Sequence, residues 1–298
     1  MKYHCVKAQA PSHEIDLWCE ALDVSRSAYY NWLNAPLRIR SLQDEVIKGG
    51  MLEINKVAKE RYGYRAMHAH LKSEEIACGK DRVLRLMHDL RLVQGRGKAF
   101  KPIGTESYHR YGYQPNLLKL HGSPTACNQV WVVDTTYIRI EEGFVYQATV
   151  MDLYNREIIG WSVSSCNDTE LVSNALQDAL RKRGGFHSGL IHHSDRGSTY
   201  ASYAYQKVLS DHGIRSSMSA KGNCYDNAAM ESFFGRFKVS TVKDRIFKDE
   251  AEVRDALFEY IEIFYNRFRK HAALGYRSPI EFSLWNDRQP EGQLRLAA

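Results

Sequence analysis

The run VWVVDTTYI, residues 130–138, constrains this chain more than any other stretch. Its β-branched and aromatic residues read as a strand buried within a sheet. Asp134 interrupts that run. Aspartate is depleted in strand centres, and an unpaired carboxylate is expensive to bury. Asp134 therefore needs a partner, a proton or a metal. A neighbouring hydroxyl, Thr135 or Thr136, is the plain alternative to a functional role.

The strand pattern continues beyond it. QVWVVDTTYIRIE turns at Glu141-Glu142-Gly143 into FVYQATVMDLY, and Asn155-Arg156 leads into EIIGWSVSS. This predicts a three-stranded antiparallel meander. A helix follows over 169–183, with Leu171, Ala175, Leu176, Ala179 and Leu180 on its apolar stripe. GLIHHSD reads as a short strand ending at Asp195, with a helix at 199–212 that Ser198 is placed to cap. GIRSSMS reads as a fifth strand, and helices at 226–242 and 249–267 close the unit. A meander followed by alternating helix and strand predicts an α/β domain: a five-stranded mixed sheet flanked by helices. That order resembles the ribonuclease H-like fold.

The first third reads as helical. In HEIDLWCEALDVSRSAYYNWL, Ser25 can cap a second helix after a tight turn, a helix-turn-helix pattern or an ordinary helical hairpin. Residues 41–60 read as one helix that Gly49-Gly50 either breaks or leaves intact. Shorter helices follow over 65–75 and 80–90. The last carries Lys80, Arg82 and Arg85 on its outer face, where a recognition helix would present its basic residues. Residues 94–127 lose periodicity and mix basic residues with Phe100, Tyr108, Tyr111 and Tyr113. Such a stretch can track a phosphate backbone or simply link two domains.

Charge sharpens this division. The chain has a net charge of +6, and residues 80–127, with nine basic and three acidic residues, hold all of that excess. Focused positive charge suits a polyanion such as nucleic acid. At 44% hydrophobic residues the chain can build a sizeable core, which excludes a mostly disordered protein. Mean hydropathy is −0.47 and no apolar run approaches a membrane span. The start lacks an apolar signal segment, and the six cysteines form no CxxC pair. We expect a cytoplasmic protein with neither disulfide scaffold nor structural zinc.

Two further carboxylates have local reasons to matter. Asp195 ends an apolar strand, where ligands bind in open α/β sheets. Glu231 lies on a helix whose Met230, Phe233, Phe234 and Phe237 follow i, i+3, i+4, i+7 and face the core. Asn227 and Lys238 share the edge that Glu231 occupies. His192 and His193 precede Asp195, but adjacent strand residues point to opposite faces, so they do not read as a zinc pair. Lys221, Tyr225 and Lys238 are candidates for phosphate or base contact, as is the basic stretch Arg267, Arg269, Lys270 and His271. That stretch can equally complement the dipole of the last helix.

Asp134, Asp195 and Glu231, with 35 residues between the last two, resemble the D,D-35-E signature of retroviral-integrase-like transposases. HHSDRGSTY, SMSAKGNCYDNAAMESFFGRFK and YIEIFYNRFRKHAALGYRSPIEF resemble the second-reading-frame product of the third family of bacterial insertion sequences. Lys238 matches the basic residue that this family places after its glutamate. Residues 41–100 resemble, less specifically, the helix-turn-helix region that precedes the core.

The resemblance implies a division into a helical, helix-turn-helix-like segment at 1–40 and a DNA-binding helix-turn-helix region at 41–95. A basic linker at 96–127, an integrase-like catalytic core at 128–285 and a tail at 286–298 follow. It implies a DNA transposase that cuts 3′ ends and joins them to new DNA. The alternatives are a non-catalytic DNA-binding regulator derived from a transposase and another ribonuclease H-like nuclease. Three converging carboxylates suit two Mg²⁺ or Mn²⁺ ions, Asp134 bridging both and Asp195 and Glu231 each holding one. That use requires the three to approach within about 4–6 Å. The implied partners are DNA, further copies of this chain on DNA, and the upstream-frame product, free or joined as a frameshift fusion. No membrane is implied. We expect residues 128–298 to complete one core without the amino-terminal part.

Overall fold

The computed structural model describes residues 2–9, 14–34, 39–92, 112–184, 189–219, 228–243 and 245–288. Helices α1 (Lys2–Gln9), α2 (Ile15–Ala21) and α3 (Arg26–Leu33) gather around Val6, Cys19 and Tyr29. Ser25 caps α3 by accepting the Ala28 amide at 3.4 Å. Helix α4 (Ile39–Ala58) runs through Gly49-Gly50 without a break. Helices α5 (Tyr64–Ser73) and α6 (Lys80–Asp89) pack on it, and a short helix α7 (Leu118–His121) precedes the sheet.

Strands β1 (Val130–Ile140), β2 (Gly143–Asp152) and β3 (Ile158–Ser164) form the antiparallel meander. Helix α8 (Thr169–Lys182) then leads to β4 (Ile191–Ser194), which pairs parallel with β1. Helices α9 (Ser198–Ala201) and α10 (Tyr203–Asp211) lead to β5 (Arg215–Met218), so the sheet order is β3-β2-β1-β4-β5. Helix α11 (Ala228–Phe237) continues as a π-helical turn at Lys238–Val242. Helix α12 (Glu250–Phe258) does the same at Glu259–Tyr265, and α13 (Pro279–Asn286) ends the described chain. This is a ribonuclease H-like α/β core preceded by helices.

Side-chain alternation along β1 divides the core. Trp131 and Val133 face α8 and α10, packing with Leu171, Leu176, Ala179, Tyr205 and Leu209. Val130, Val132 and Ile138 face the other way, towards Met230, Phe233, Phe237, Tyr260 and Phe264. Gly160 sets the spacing on the first side: a Cβ there would stand 2.3 Å from the Ala175 carbonyl oxygen and 2.6 Å from the Ala179 nitrogen. On the second side buried Asn266 completes the sheet where its register shifts. Its amide accepts from the Ile158 N–H and donates to the Ile158 carbonyl, both at 2.9 Å.

The structure differs from the sequence reading in three places. The helix expected at 199–212 is interrupted at Ser202, whose extended backbone frees its hydroxyl to cap α10 through the Tyr205 amide. Ser198 is the first helical residue of α9 and not its cap. The amino-terminal helices also do not stand apart from the core. Ile47, Met51, Met67, Leu71, Val83 and Leu86 belong to the same apolar cluster as β1 and α11. Tyr62 stacks on Phe268 and donates its hydroxyl to the Phe268 carbonyl at 2.7 Å. Arg61 grips both carboxylate oxygens of Glu259 at 3.0 and 2.8 Å.

The close approach of β3 and α8 predicts opposite effects at two glycines. Gly160→Ala drives a methyl into backbone and should destabilise the protein by about 3 kcal/mol. Gly49→Ala, in a helix with nothing within 4 Å of the new methyl, should stabilise it by about 0.5–1 kcal/mol. Urea unfolding of the two variants beside the parent measures both.

Candidate active site

Register places the first two carboxylates. Val132 of β1 pairs with His193 of β4 in a parallel ladder. Two residues further on come Asp134, still within β1, and Asp195, one residue past the end of β4, close enough for the charge of Asp195 to act on Asp134. β4 is only four residues long, so its end lies beside the middle of eleven-residue β1. That explains a carboxylate in mid-strand: its neighbouring strand has already stopped, and a rim has opened.

Asp134 lies on the face that α11 covers, since it follows Val130 and Val132 in the alternation. The α11 stripe of Met230, Phe233, Phe234 and Phe237 is buried, with Phe233 against Tyr265 and Phe237 against Tyr260, both edge-on at about 5 Å. That packing fixes the helix azimuth and carries Glu231 to the exposed edge above Asp134. Lys238 opens the π-helical turn, with Nζ 4.8 Å from the Tyr137 ring centroid.

The electrostatics are those of crowded acids. Burial, and then the charge of Asp195, push the Asp134 carboxyl up to about 7, with Glu231 adding to the rise. The Thr135 amide, donating to Asp134 Oδ1 at 2.8 Å, and the Lys238 ammonium pull the other way. Burial lowers the Lys238 ammonium, and Asp134 partly restores it. Asp195 Oδ1 accepts the Gly197 amide at 2.8 Å. Among the described residues no three His, Cys, Asp or Glu side chains close tightly enough to hold one ion. Asp134 and Asp195 are neighbours, while Glu231 stands within electrostatic reach without closing on them. The donor set is all oxygen and acidic, which fits a hard divalent cation.

Comparison with known proteins settles the lineage. The integrase core domain family matches residues 124–224, a second integrase core domain family matches 212–279, and an HTH-like domain matches 41–100. The Shigella sonnei insertion element IS600 uncharacterized 31 kDa protein is 43% identical over 268 residues, 89% of this chain and 96% of that protein. Transposase InsF for insertion sequence IS3A of Escherichia coli strain K12 is 36% identical over 290 residues, 95% and 98% of the two chains. The chain belongs to the IS3 family of insertion-sequence transposases. Among solved structures, the catalytic core domain of BIV integrase is 14% identical, covering 54% of this chain and 96% of that one at a TM-score of 0.40.

The transposase positions its other candidate residues unevenly. Lys80 is exposed at the start of α6. Arg82 and Arg85 instead grip Asp44 of α4, each at 2.7 Å, and Arg82 also donates to the Arg40 carbonyl at 2.9 Å. Lys221, Tyr225 and Asn227 lie outside the described residues. Spacing did not single out His193, whose Nδ1 lies 2.8 Å from the Ser217 hydroxyl on the carboxylate face. Nor did it find Thr149, paired across the ladder from Asp134, or Gln147, which donates to the Thr149 hydroxyl at 2.9 Å. Their alternation on β2 was the available signal. His192 turns to the opposite face and meets the Tyr205 hydroxyl at 2.8 Å.

The raised Asp134 pKa makes a stability prediction. The folded protein holds this proton from about pH 4 to about pH 7, where the unfolded chain has released it. Stability from this group is full below pH 4, falls as pH rises from 4 to 7 and levels off above, by on the order of 4 kcal/mol in all. In chelator, Asp134→Asn should therefore gain on the parent between pH 4.5 and pH 8. Urea unfolding of both proteins across that range measures the gap. A gap that stays constant would contradict the placement of Asp134 among buried acids.

Proposed function

We propose that this transposase cuts 3′ ends at the termini of its element and joins them to new DNA at Asp134, Asp195 and Glu231. The observation that supports this reading is the electrostatic coupling of the three: the charges of Asp195 and Glu231 both act on the Asp134 carboxyl, which follows the parallel β1–β4 pairing. Asp134, Asp195 and Glu231 would together hold two Mg²⁺ or Mn²⁺ ions, as their all-oxygen, acidic donor set suits hard cations. When bound, they supply the Lewis acidity for an in-line phosphoryl displacement.

The side chains do the rest. Asp134 gives up its raised proton when positive charge enters beside it. Glu231, on the exposed edge of a firmly packed helix, closes by side-chain rotation alone. Lys238 faces the same opening and meets a DNA phosphate there. No protein nucleophile is required, because the attacking oxygen comes from water or a 3′-hydroxyl.

Residues 41–95 act as the DNA-binding unit and 128–285 as the catalytic core. Lys80 reaches phosphate directly, while Arg82 and Arg85 hold α4 to α6. Lys221, Tyr225 and Asn227 belong to the proposed DNA contacts. An element has two ends, so copies of the chain assemble on DNA. The upstream-frame product, free or as a frameshift fusion, is the proposed partner for end recognition. None of the described helices is long and apolar enough to cross a membrane, and we place the reaction in the cytoplasm.

Asp134→Asn, Asp195→Asn and Glu231→Gln should each reduce joining of a 3′-end oligonucleotide to background while leaving duplex binding nearly intact. Strand-transfer and binding assays on the same preparations test this. A variant that still joins normally leaves the catalytic set.

A further inference from the structure

A cleft of about 270 Å³ opens beside the first turn of α11, on a different side of that helix from the carboxylates. Arg156, Arg269 and His271 line it, with Tyr265 as floor and Ser232 at its edge. Three different elements deliver the nitrogen-bearing side chains. Arg156 sits in the β2–β3 turn at φ +61, its amide bonded to the Asp152 carbonyl at 2.9 Å. Arg269 follows the π-helical turn, anchored by its amide to the Phe264 carbonyl at 2.7 Å. His271 is fixed by the bridge to Arg277 and by its ring, edge-on to Tyr265 at 4.9 Å.

Among the described residues this cluster has no carboxylate partner. Arg269 Nε and His271 Nε2 are buried and lack a hydrogen-bond partner among the described residues. The charged groups that His271 senses are Arg269 and Arg156, and with burial they lower its imidazole to about 3. An orphaned buried donor such as Arg269 Nε is costly, and two guanidinium groups, Arg156 and Arg269, gathered with no carboxylate beside them among the described residues repel. A tetrahedral oxyanion relieves both. Guanidinium groups are the usual partners of phosphate oxygens. The Ser232 hydroxyl can add a further donor.

We propose that this cleft binds a backbone phosphate of the DNA strand held at the carboxylates. The inference rests on the reading of the chain as acting on DNA at that site. Ser232 lies one residue along α11 from Glu231, so an occupied cleft holds the strand against the same helix that carries the third carboxylate.

The test is duplex binding by the full chain in chelator, followed by salt titration, so that the carboxylate chemistry plays no part. Arg156→Gln and Arg269→Gln should each weaken binding about tenfold. Each should also reduce the steepness of log K against log salt by about 0.9, the loss of one phosphate contact. Lys207→Gln, on exposed α10 and paired with Asp211, should change neither. Thermal unfolding verifies each variant, and Arg156→Gln alone suffices should Arg269→Gln not fold. Parent-like affinity and slope in a folded Arg156→Gln protein would overturn the proposal. So would inorganic phosphate alone shifting the His271 ring resonances while both variants bind duplex normally, which assigns the cleft to free phosphate. Failure of the parent itself to bind duplex would overturn the functional reading and this assignment with it.

Discussion

Parallel pairing of a four-residue strand against the middle of an eleven-residue one is the constraint on which the site depends. It brings Asp134 and Asp195, the latter one residue beyond β4, near each other without any contact between them having to be favourable. Backbone hydrogen bonds and the apolar residues Val130, Val132 and Ile191 hold the register. The two acids are then brought together against their own repulsion. Asp152 shows the contrast. It is fully buried at the end of β2, more so than the half-buried Asp134, but it pairs with Trp131 on the opposite face and takes amide protons from Asn128 at 2.7 Å and Tyr154 at 3.0 Å. Asp152 is satisfied by its turn, whereas Asp134 accepts one neighbouring amide and faces further acids.

The second face of the sheet transmits this arrangement to the rest of the chain. Phe233, Phe237, Tyr260 and Tyr265 interlock edge to face beneath α11, and Tyr62 and Phe268 extend the same aromatic layer to the amino-terminal helices. The Arg61–Glu259 pair closes that junction. The helical DNA-binding unit and the carboxylate helix are thus packed on common side chains. A displacement of residues 41–95 therefore carries a packing penalty at α11, which holds Glu231.

The strands, the α8 stripe and the α11 stripe were legible because burial imposes periods of two and of about three and a half on local sequence. Asp134 stood out because it breaks such a period. The same periodicity could not separate α-helix from π-helix at Lys238–Val242 or Glu259–Tyr265, since neighbouring buried positions read alike in both. Ser202 was hidden inside a continuous helical pattern because capping is a matter of backbone angle. Arg82 and Arg85 look like a DNA-reading face in sequence, yet Asp44 on a distant turn of α4 engages both. The cleft of Arg156, Arg269 and His271 was invisible for the same reason: its residues meet only through tertiary packing.

The central claim is that Asp134 and Asp195, already neighbours, and Glu231, standing off from them, close around shared positive charge. Crystals of the full chain grown with Mn²⁺, measured at the manganese edge, test it most directly. The account predicts an anomalous peak touching Asp134 and Asp195, with the Glu231 carboxylate rotated onto the same centre and α11 unmoved. Peaks confined to other acidic groups, or a metal held without Asp134, would contradict it.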